Sequence, residues 1–276
     1  MTDPTEFVDA DRALKAAHRT MWGLGNYPAV AAEVVRELGP TLVRACGVEA
    51  GQRVLDVAAG SGNAALPAAV AGATVIASDL TPELFARGRE LAAAQQVDLE
   101  WIQGDAEALP FADNEFDIVM SCVGVMFAPH HQQSADELVR VCRDGGTIGL
   151  INWTPDGFIG KMFSAMKPYA APPPPGAQPP PLWGDEAHVR GQFGVRVREL
   201  TAEVKTLTVD TFARPEDFVH YFKKNYGPTI AVYRRIADDH AAVAALDSSL
   251  IELAGQFYEG KAMKWEYLIV TAKVRR

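Results

Sequence analysis

The sequence of 276 residues has little cysteine, no excess of positive charge and no long apolar run. Its three cysteines, Cys46, Cys122 and Cys142, show no paired spacing, which argues against a disulfide framework or a zinc site and predicts reduced thiols. No cluster of acidic residues or histidines stands out, so we expect no metal. The formal net charge is −9 with Lys and Arg scattered, which disfavours nucleic acid and anionic membrane surfaces as partners.

No apolar run approaches the ~20 residues that a membrane-spanning helix needs. The N-terminal sequence MTDPTEFVDAD is acidic and lacks the basic and then apolar pattern of a signal peptide. We therefore expect a soluble, cytoplasmic protein without stable membrane insertion, large enough to bury a substantial core. These features favour a small-molecule partner and leave the oligomeric state open.

One stretch organises the chain, from Val54 to Leu66, with the sequence VLDVAAGSGNAAL. Its apolar start predicts a buried strand, its small residues a turn, and its last residues the first turn of a helix. Glycine at Gly60 and Gly62 permits backbone angles that a side chain forbids, and it lets amides at the helix start approach a ligand closely. The stretch therefore predicts a ligand-binding turn.

The pattern of strand, acidic residue and helix then repeats. Asp56, Asp79 and Asp105 are 23 and 26 residues apart (79 minus 56 and 105 minus 79), close to the ~30 residues of a βαβ unit. Regular spacing of this kind predicts a parallel sheet with the acids along one edge, at the carboxyl ends of the strands, where ligands bind. The expected strands are 54–57, 73–78, 99–103, 116–121 and 147–153.

The rest of the chain is predicted to surround this core. Residues 1–50 should form a helical cap, with helices over 9–20 and 28–38 and a break at Gly39 and Pro40. The core covers 51–153, and 154–200, with its proline run, is expected to be a lid insertion. Residues 201–276 should complete the sheet, because 204–209 and 264–274 alternate as strands and are expected to pair antiparallel. The predicted fold is α/β: a Rossmann-like, doubly wound, seven-stranded sheet, mostly parallel with an antiparallel C-terminal strand, plus a helical lid.

The glycines alone leave two ligand classes open. Gly60-x-Gly62-x-x-Ala65, with an acid 19 residues after Gly60, also satisfies the dinucleotide fingerprint of NAD-linked enzymes. Three features weigh against that alternative: Asp56 lies inside the first strand, a further acidic residue, Asp105, ends the third strand, and the chain ends in a pair of strands that suits a different fold.

Four segments together resemble the class I S-adenosylmethionine-dependent methyltransferases: VLDVAAGSG (54–62), ASDL (77–80), GDAEALPFADNEFDIV (104–119) and ELVRVCRDGGTIGL (137–150). The resemblance covers 53–153 and is greatest to the branch that contains the ubiquinone and menaquinone biosynthesis methyltransferases. It implies S-adenosyl-L-methionine as cofactor and methyl transfer to a small molecule as activity. Where many members have Gly-x-Gly-x-Gly, this chain has Ala58, which costs little if its backbone keeps ordinary angles.

The resemblance also implies roles for individual residues. The methionine part of the cofactor would lie over the turn 56–62. The resemblance implies that Asp79, with Leu80 beside it, binds both ribose hydroxyls. A carboxylate suits this role because each of its two oxygens can accept a hydrogen bond from one hydroxyl. It also implies that Asp105 accepts a hydrogen bond from the adenine amine and that the backbone of Ala106 contacts the same ring. Cys122 would lie near the methionine end of the cofactor.

Further candidates lie outside these motifs. Arg19, Trp22 and Tyr27 flank glycines between the first two predicted helices and could belong to a flap that touches the cofactor. His130 and His131 follow the fourth strand and are the candidate catalytic bases for an acceptor that must lose a proton.

The acceptor pocket is expected to be lined from Met126, Phe127, the segment 158–183 and the helices around Phe218 and Tyr226. Such a lining suits a flat aromatic or lipophilic acceptor. The alternatives are an NAD-linked oxidoreductase and a non-catalytic binding protein on the same fold.

Overall fold

A computed structural model describes the backbone of residues 4–173 and 176–276, and the side chains from residue 12 onward within those ranges. The helices are α1 (Pro4–Trp22), α2 (Tyr27–Glu33), α3 (Leu38–Cys46), α4 (Ala65–Val70), α5 (Phe85–Gln95), α6 (His131–Val141), α7 (Phe158–Met166), α8 (Glu186–Phe193), α9 (Pro215–Asn225), α10 (Gly227–Arg235) and α11 (His240–Gln256). The strands are β1 (Arg53–Val57), β2 (Thr74–Asp79), β3 (Glu100–Gln103), β4 (Phe116–Cys122), β5 (Cys142–Trp153), β6 (Val197–Val209), β7 (Tyr258–Glu259) and β8 (Ala262–Val274).

The strands form one mixed sheet in the order β3-β2-β1-β4-β5-β8-β6. The pairs from β3 to β5 are parallel, and β8 runs antiparallel to both of its neighbours. The doubly wound α/β fold and the antiparallel C-terminal pair are confirmed. Seven strands form this path, and the two-residue β7 pairs with β8 as an eighth.

The two strands β1 and β2 in the parallel part of the sheet are buried on both faces. After Arg53, every residue of β1 is buried, as is every residue of β2 after Thr74. Strands of this kind are stable only when helices cover both faces of the sheet. Helix α3 packs closely on β5, since a Cβ built on Gly149 would lie 2.0 Å from the Cys46 sulfur.

Two local predictions were wrong. Gly39 and Pro40 do not break a helix; they lie in the first turn of α3, where proline loses no hydrogen bond that an interior residue would make. The fifth strand, expected over 147–153, begins at Cys142 and includes Gly145, which has a φ of +69°.

The segment 180–196 packs on the body of the domain. Trp183, Val189 and Phe193 are buried, and α8 packs against α6. Within the part of the chain that the structure describes, no helix is long and apolar enough to span a bilayer.

Candidate cofactor and acceptor site

A cavity lies at the carboxyl ends of the parallel strands, where the strand order reverses between β1 and β4. Ligands of open α/β sheets bind at such reversal points, because the loops on either side leave in opposite directions and open a crevice. The cavity wall is formed by Lys15, His18, Trp22, Tyr27, Val30, Ala31, Val35, Ala58, Ala59, Gly60, Ser61, Asn63, Asp79, Leu80, Leu84, Gly104, Asp105, Ala106, Cys122, Val123, Gly124, Phe127, Ala128, Pro129, Trp153, Ile159, Phe222, Tyr226 and Trp265.

The turn after β1 has left-handed backbone angles at three residues. Ala58, Gly60 and Gly62 have φ values of +55°, +58° and +89°. The condition under which Ala58 would cost little is therefore not met, and this alanine carries a strain of about 1 kcal/mol. A Cβ built on Gly60 would meet no atom within 4 Å, so the missing side chain leaves open space along the cavity wall.

Asp79 joins the ends of β1 and β2. Its Oδ2 accepts a hydrogen bond from the Gly60 amide at 2.8 Å, and its Oδ1 accepts one from the Thr81 amide at 2.8 Å. Each carboxylate oxygen can accept two hydrogen bonds, so one position on each remains for a ligand. Burial raises the pKa of Asp79 to about 6, and the two amide bonds limit the rise. The side chain therefore both caps the turn at Thr81 and offers acceptors to the cavity.

Asp105 lies at the end of β3 and is tied to helix α1. Its Oδ1 accepts a hydrogen bond from the Glu107 amide at 2.9 Å, and its Oδ2 lies 2.6 Å from the Lys15 ammonium. Lys15 also lies 3.1 Å from Glu107 Oε2. An adenine amine at Asp105 would therefore meet a carboxylate that already holds one ammonium group.

Glu107 connects three parts of the cavity wall. Its Oε1 accepts a hydrogen bond from the His130 amide at 2.6 Å, and its Oε2 lies 3.0 Å from His130 Nδ1, in addition to the pair with Lys15. One buried carboxylate thus fixes helix α1, the loop after β3 and the loop after β4 to one another. Sequence reasoning missed both Lys15 and Glu107.

Asp56 has a different role from the other two acids. Its side chain lies outside the cavity wall, and its Oδ2 accepts a hydrogen bond from the Ala65 amide at the start of α4, at 2.8 Å. The other oxygen is buried and finds no partner among the described residues. Burial raises the pKa of Asp56 to about 8. Asp56 therefore anchors the helix that follows the glycine turn.

The opposite end of the cavity is aromatic. Trp22 lies with its ring centroid 4.5 Å from Phe127 and 5.3 Å from Tyr27, and Tyr226 lies 6.0 Å from Tyr27 and 5.1 Å from Phe222. These rings come from α1, α2, α9 and the loop after β4, which the sequence separates by up to 200 residues. The cavity therefore has a polar end at the strand termini and an aromatic end under the helices.

Most of the predicted cofactor residues line this one cavity: Trp22, Tyr27, Ala58, Gly60, Asp79, Leu80, Asp105, Ala106 and Cys122. Five of the predicted cofactor and catalytic residues are not in its wall: Arg19, Asp56, Gly62, His130 and His131. Arg19 pairs with Glu83 on the surface. A Cβ built on Gly62 would lie 2.9 Å from Trp101, so this glycine allows close packing behind the turn.

The two candidate bases lie elsewhere. His130 is held by Glu107, and His131 is fully buried with its Nδ1 3.0 Å from His188 Nε2 and its ring against Trp183. Burial lowers the pKa of His131 to about 3. The histidine that does line the cavity is His18, which shares one face of α1 with Lys15 and Trp22, at spacings of three and four residues. That helical spacing was the signal that could have identified it.

The predicted acceptor lining was only partly right. Phe127 and Tyr226 line the cavity, but Met126 and Phe218 are buried outside its wall. From the segment 154–200, Ile159 is the lining residue. Trp183 packs on His131 instead, because the turn that carries it lies against β5. The division into cap, core and lid stays a prediction.

Residues 55–150 match the family described as a methyltransferase domain. A demethylmenaquinone methyltransferase of Renibacterium salmoninarum is 40% identical over 107 residues, which cover 39% of this chain and 44% of that protein. The glycine turn, Asp79 and Asp105 all lie within the residues 55–150 that match the family. The chain belongs to the class I S-adenosylmethionine-dependent methyltransferases.

This methyltransferase has relatives that match it along nearly its whole length. The uncharacterized protein Rv1405c of Mycobacterium tuberculosis is 52% identical over 265 residues, 96% of this chain and 97% of that protein. Among solved structures, the YcgJ protein of Bacillus subtilis superposes with a TM-score of 0.60 at 17% identity, covering 87% of this chain and 99% of that chain. The structural likeness shows the fold alone.

Proposed function

We propose that this methyltransferase transfers a methyl group in line to a small acceptor with a flat, aromatic or lipophilic body. One observation carries the proposal: a single cavity joins the acids Asp79 and Asp105 at one end to the rings of Trp22, Phe127 and Tyr226 at the other. Donor and acceptor could therefore lie end to end, in the arrangement that a direct displacement requires.

The polar end fits the cofactor that the family uses. Asp79 keeps one accepting position on each oxygen, which suits two neighbouring ribose hydroxyls. In our proposal, Asp105 accepts from the adenine amine and Ala106 donates a backbone amide to the ring. The open space at Gly60 leaves room for the methionine part, and Cys122 borders its far end. When bound, S-adenosyl-L-methionine supplies a methyl group on a positively charged sulfur.

The protein would contribute position and a dry environment. Tyr27 is fixed because its hydroxyl oxygen accepts a hydrogen bond from the Gly227 amide at 3.0 Å, which links α2 to the start of α10. Trp22 packs edge-on against Phe127 at the same end of the cavity. Rings held in this way exclude water and limit the orientations of a flat acceptor, which lowers the entropic cost of reaching the transition state.

Two experiments test the proposal. Calorimetric titration with S-adenosylmethionine, S-adenosylhomocysteine and NAD should show binding of the two sulfur compounds and none of NAD; binding of NAD alone would contradict it. Incubation of a metabolite extract with the methyl-labelled cofactor should then label a compound with a flat or lipophilic body. Label found only in a highly polar product would contradict the proposed acceptor class.

A further inference from the structure

The polar groups at the aromatic end of the cavity are hydrogen-bond donors. The Tyr27 oxygen already accepts from Gly227, so its O–H is free to donate. Tyr226 is buried in the same wall, and its hydroxyl is a second potential donor. The indole nitrogen of Trp265 is buried and finds no partner among the side chains and backbone that the structure describes, and an indole N–H can only donate. This end of the cavity therefore offers hydrogen-bond donors to a ligand.

These donors stay neutral. Burial raises the pKa of both Tyr27 and Tyr226 well above the usual range, so neither hydroxyl loses its proton near neutral pH. Burial likewise raises the pKa of the Cys122 thiol, with Asp56 adding to the rise. None of the three can remove a proton from an acceptor.

The charged groups of the wall are already engaged, and Asp79 is close enough to Tyr27 to raise the pKa of its hydroxyl further. Asp79 accepts two backbone amides, and Asp105 pairs with Lys15. His18 is the titratable lining residue that remains; burial lowers its pKa, and Glu107 and Lys15 are the charges that act on it. His18 lies one turn of α1 before Trp22 in the cavity wall, so a test of the acceptor site must distinguish it from the two tyrosines.

We propose that the acceptor binds already ionised, as an acidic phenol or enol, and that the hydroxyls of Tyr226 and Tyr27 bind its negatively charged oxygen. This inference rests on the proposed function. Hydrogen bonds to an ionised group are about twice as strong as those between neutral groups, so two neutral donors favour the oxyanion over the neutral acceptor. Tyr226 and Tyr27 are then specificity-determining residues, and no side chain acts as a base.

The charges balance in an apolar site. An electron pair of the oxyanion, or of a carbon conjugated with it, forms the bond to the methyl carbon, and the carbon–sulfur bond breaks with its pair moving to sulfur. A negative acceptor and a positive donor thereby give two neutral products without a proton transfer in that step. Where a carbon is methylated, the neutral keto product passes its C–H proton to water and takes up a proton on oxygen in a later, separate step. A neutral amine acceptor would instead leave a new cation in the site, and the indole N–H of Trp265 could accept no hydrogen bond from it.

The test uses the chromophoric probes 4-nitrophenol and 4-nitro-1-naphthol, whose ionised forms absorb visible light. Each is titrated with the complex of the protein and S-adenosylhomocysteine. We expect the ionised form to bind about tenfold more tightly than the neutral form, so that the pKa of the bound probe falls by about one unit. 4-Nitroanisole, which cannot ionise, should bind at least tenfold more weakly. Equal binding of nitrophenol and nitroanisole, or no binding of either phenol, would overturn the inference.

Substitutions show which side chains cause the pKa shift of the bound probe. Tyr226→Phe should lose most of the pKa shift of the bound probe, and Tyr27→Phe part of it. The control is Tyr258→Phe, whose hydroxyl donates to the Phe212 carbonyl at 3.2 Å outside the cavity wall, and it should leave the shift unchanged. A shift that persists in the double variant Tyr27→Phe/Tyr226→Phe but disappears in His18→Gln would overturn the inference in favour of histidine.

Binding of S-adenosylhomocysteine is measured on every variant as a check of folding. Failure of the unmodified protein to bind S-adenosylhomocysteine would contradict the proposed function itself. Failure of the phenols to bind while S-adenosylhomocysteine still binds would contradict only the ionised acceptor.

Discussion

The Gly60 amide donates a 2.8 Å hydrogen bond to Asp79 Oδ2, so the turn after β1 and the end of β2 are held together by one side chain. The same carboxylate caps the next turn through the Thr81 amide. A residue that the family resemblance assigns to the ribose is thus also a structural link between two strands. Substitution of Asp79 should affect both roles, and the two effects can be separated.

Asp79→Asn should weaken binding of S-adenosylhomocysteine about tenfold to a hundredfold. The amide replaces one acceptor with a donor, which then faces a backbone N–H and cannot accept a ribose hydroxyl. Calorimetry gives the affinity, and thermal unfolding gives the structural cost. The matched control is Glu90→Gln, an exposed carboxylate paired with Arg87, which should change neither. Unchanged affinity in Asp79→Asn would remove Asp79 from the cofactor site.

Binding of S-adenosylhomocysteine should depend on pH through the same residue. Burial raises the pKa of Asp79 to about 6, so the side chain is increasingly protonated below that value and increasingly ionised above it. An ionised carboxylate is the better acceptor for hydroxyls, so the affinity should rise as the pH rises through about 6. In Asp79→Asn this part of the pH dependence should disappear. An affinity that rises as the pH falls below 6 would show the opposite linkage.

Ala58→Gly should leave the unfolding free energy unchanged or raise it by up to about 1 kcal/mol. The alanine has a φ of +55°, and glycine adopts that angle without the steric cost, which offsets its larger entropy in the unfolded chain. Ala93→Gly, in the exposed face of α5, is the control and should cost about 1 kcal/mol. Urea unfolding measures both. Equal losses in the two variants would argue against a left-handed Ala58.

Lys15 and Glu107 should act together on cofactor binding. Their side chains lie 3.1 Å apart, and Lys15 also holds Asp105. Lys15→Met and Glu107→Gln should each weaken S-adenosylhomocysteine binding about tenfold, and the double variant should lose less than the sum, with a coupling of about 0.5–3 kcal/mol. Glu186→Gln, which removes an exposed pair with Arg190, is the control. Additive losses would mean that the two residues act independently.

His131→Phe should change stability with pH while leaving S-adenosylhomocysteine binding intact. Burial lowers the pKa of His131 to about 3, so between its ordinary value of 6.5 and about 3 the unfolded chain takes up a proton that the folded protein does not. This histidine therefore costs stability as the pH falls. Relative to the unmodified protein, the variant should gain stability from about pH 7 to about pH 5 in urea unfolding.

His240→Gln, which removes an exposed histidine at the start of α11, is the control and should show no such gain. A loss of cofactor binding in His131→Phe would restore His131 as a site residue.

Much of the fold followed from local pattern. The pattern of strand, acidic residue and helix repeats at about the length of a βαβ unit. This pattern predicted the bounds of β1, β2 and β4 to within about two residues. The predicted ends of helices were wrong where packing against other elements determines where a helix begins. Pro40 reads as a helix breaker in sequence, but it is compatible with the first turn of α3, whose position depends on packing against β5.

The candidate site, like the fold, has one part that the sequence predicted and another part that it did not. Sequence alone determined the polar end, because Asp79 and Asp105 follow parallel strands and must emerge at one edge of the sheet. Only the tertiary structure decided the rest. It brought Lys15 to Asp105, placed Tyr226 beside Tyr27 across almost 200 residues, and removed His131 from the cavity into the core. Such contacts depend on how helices distant in sequence pack on the sheet, and no local periodicity encodes that packing.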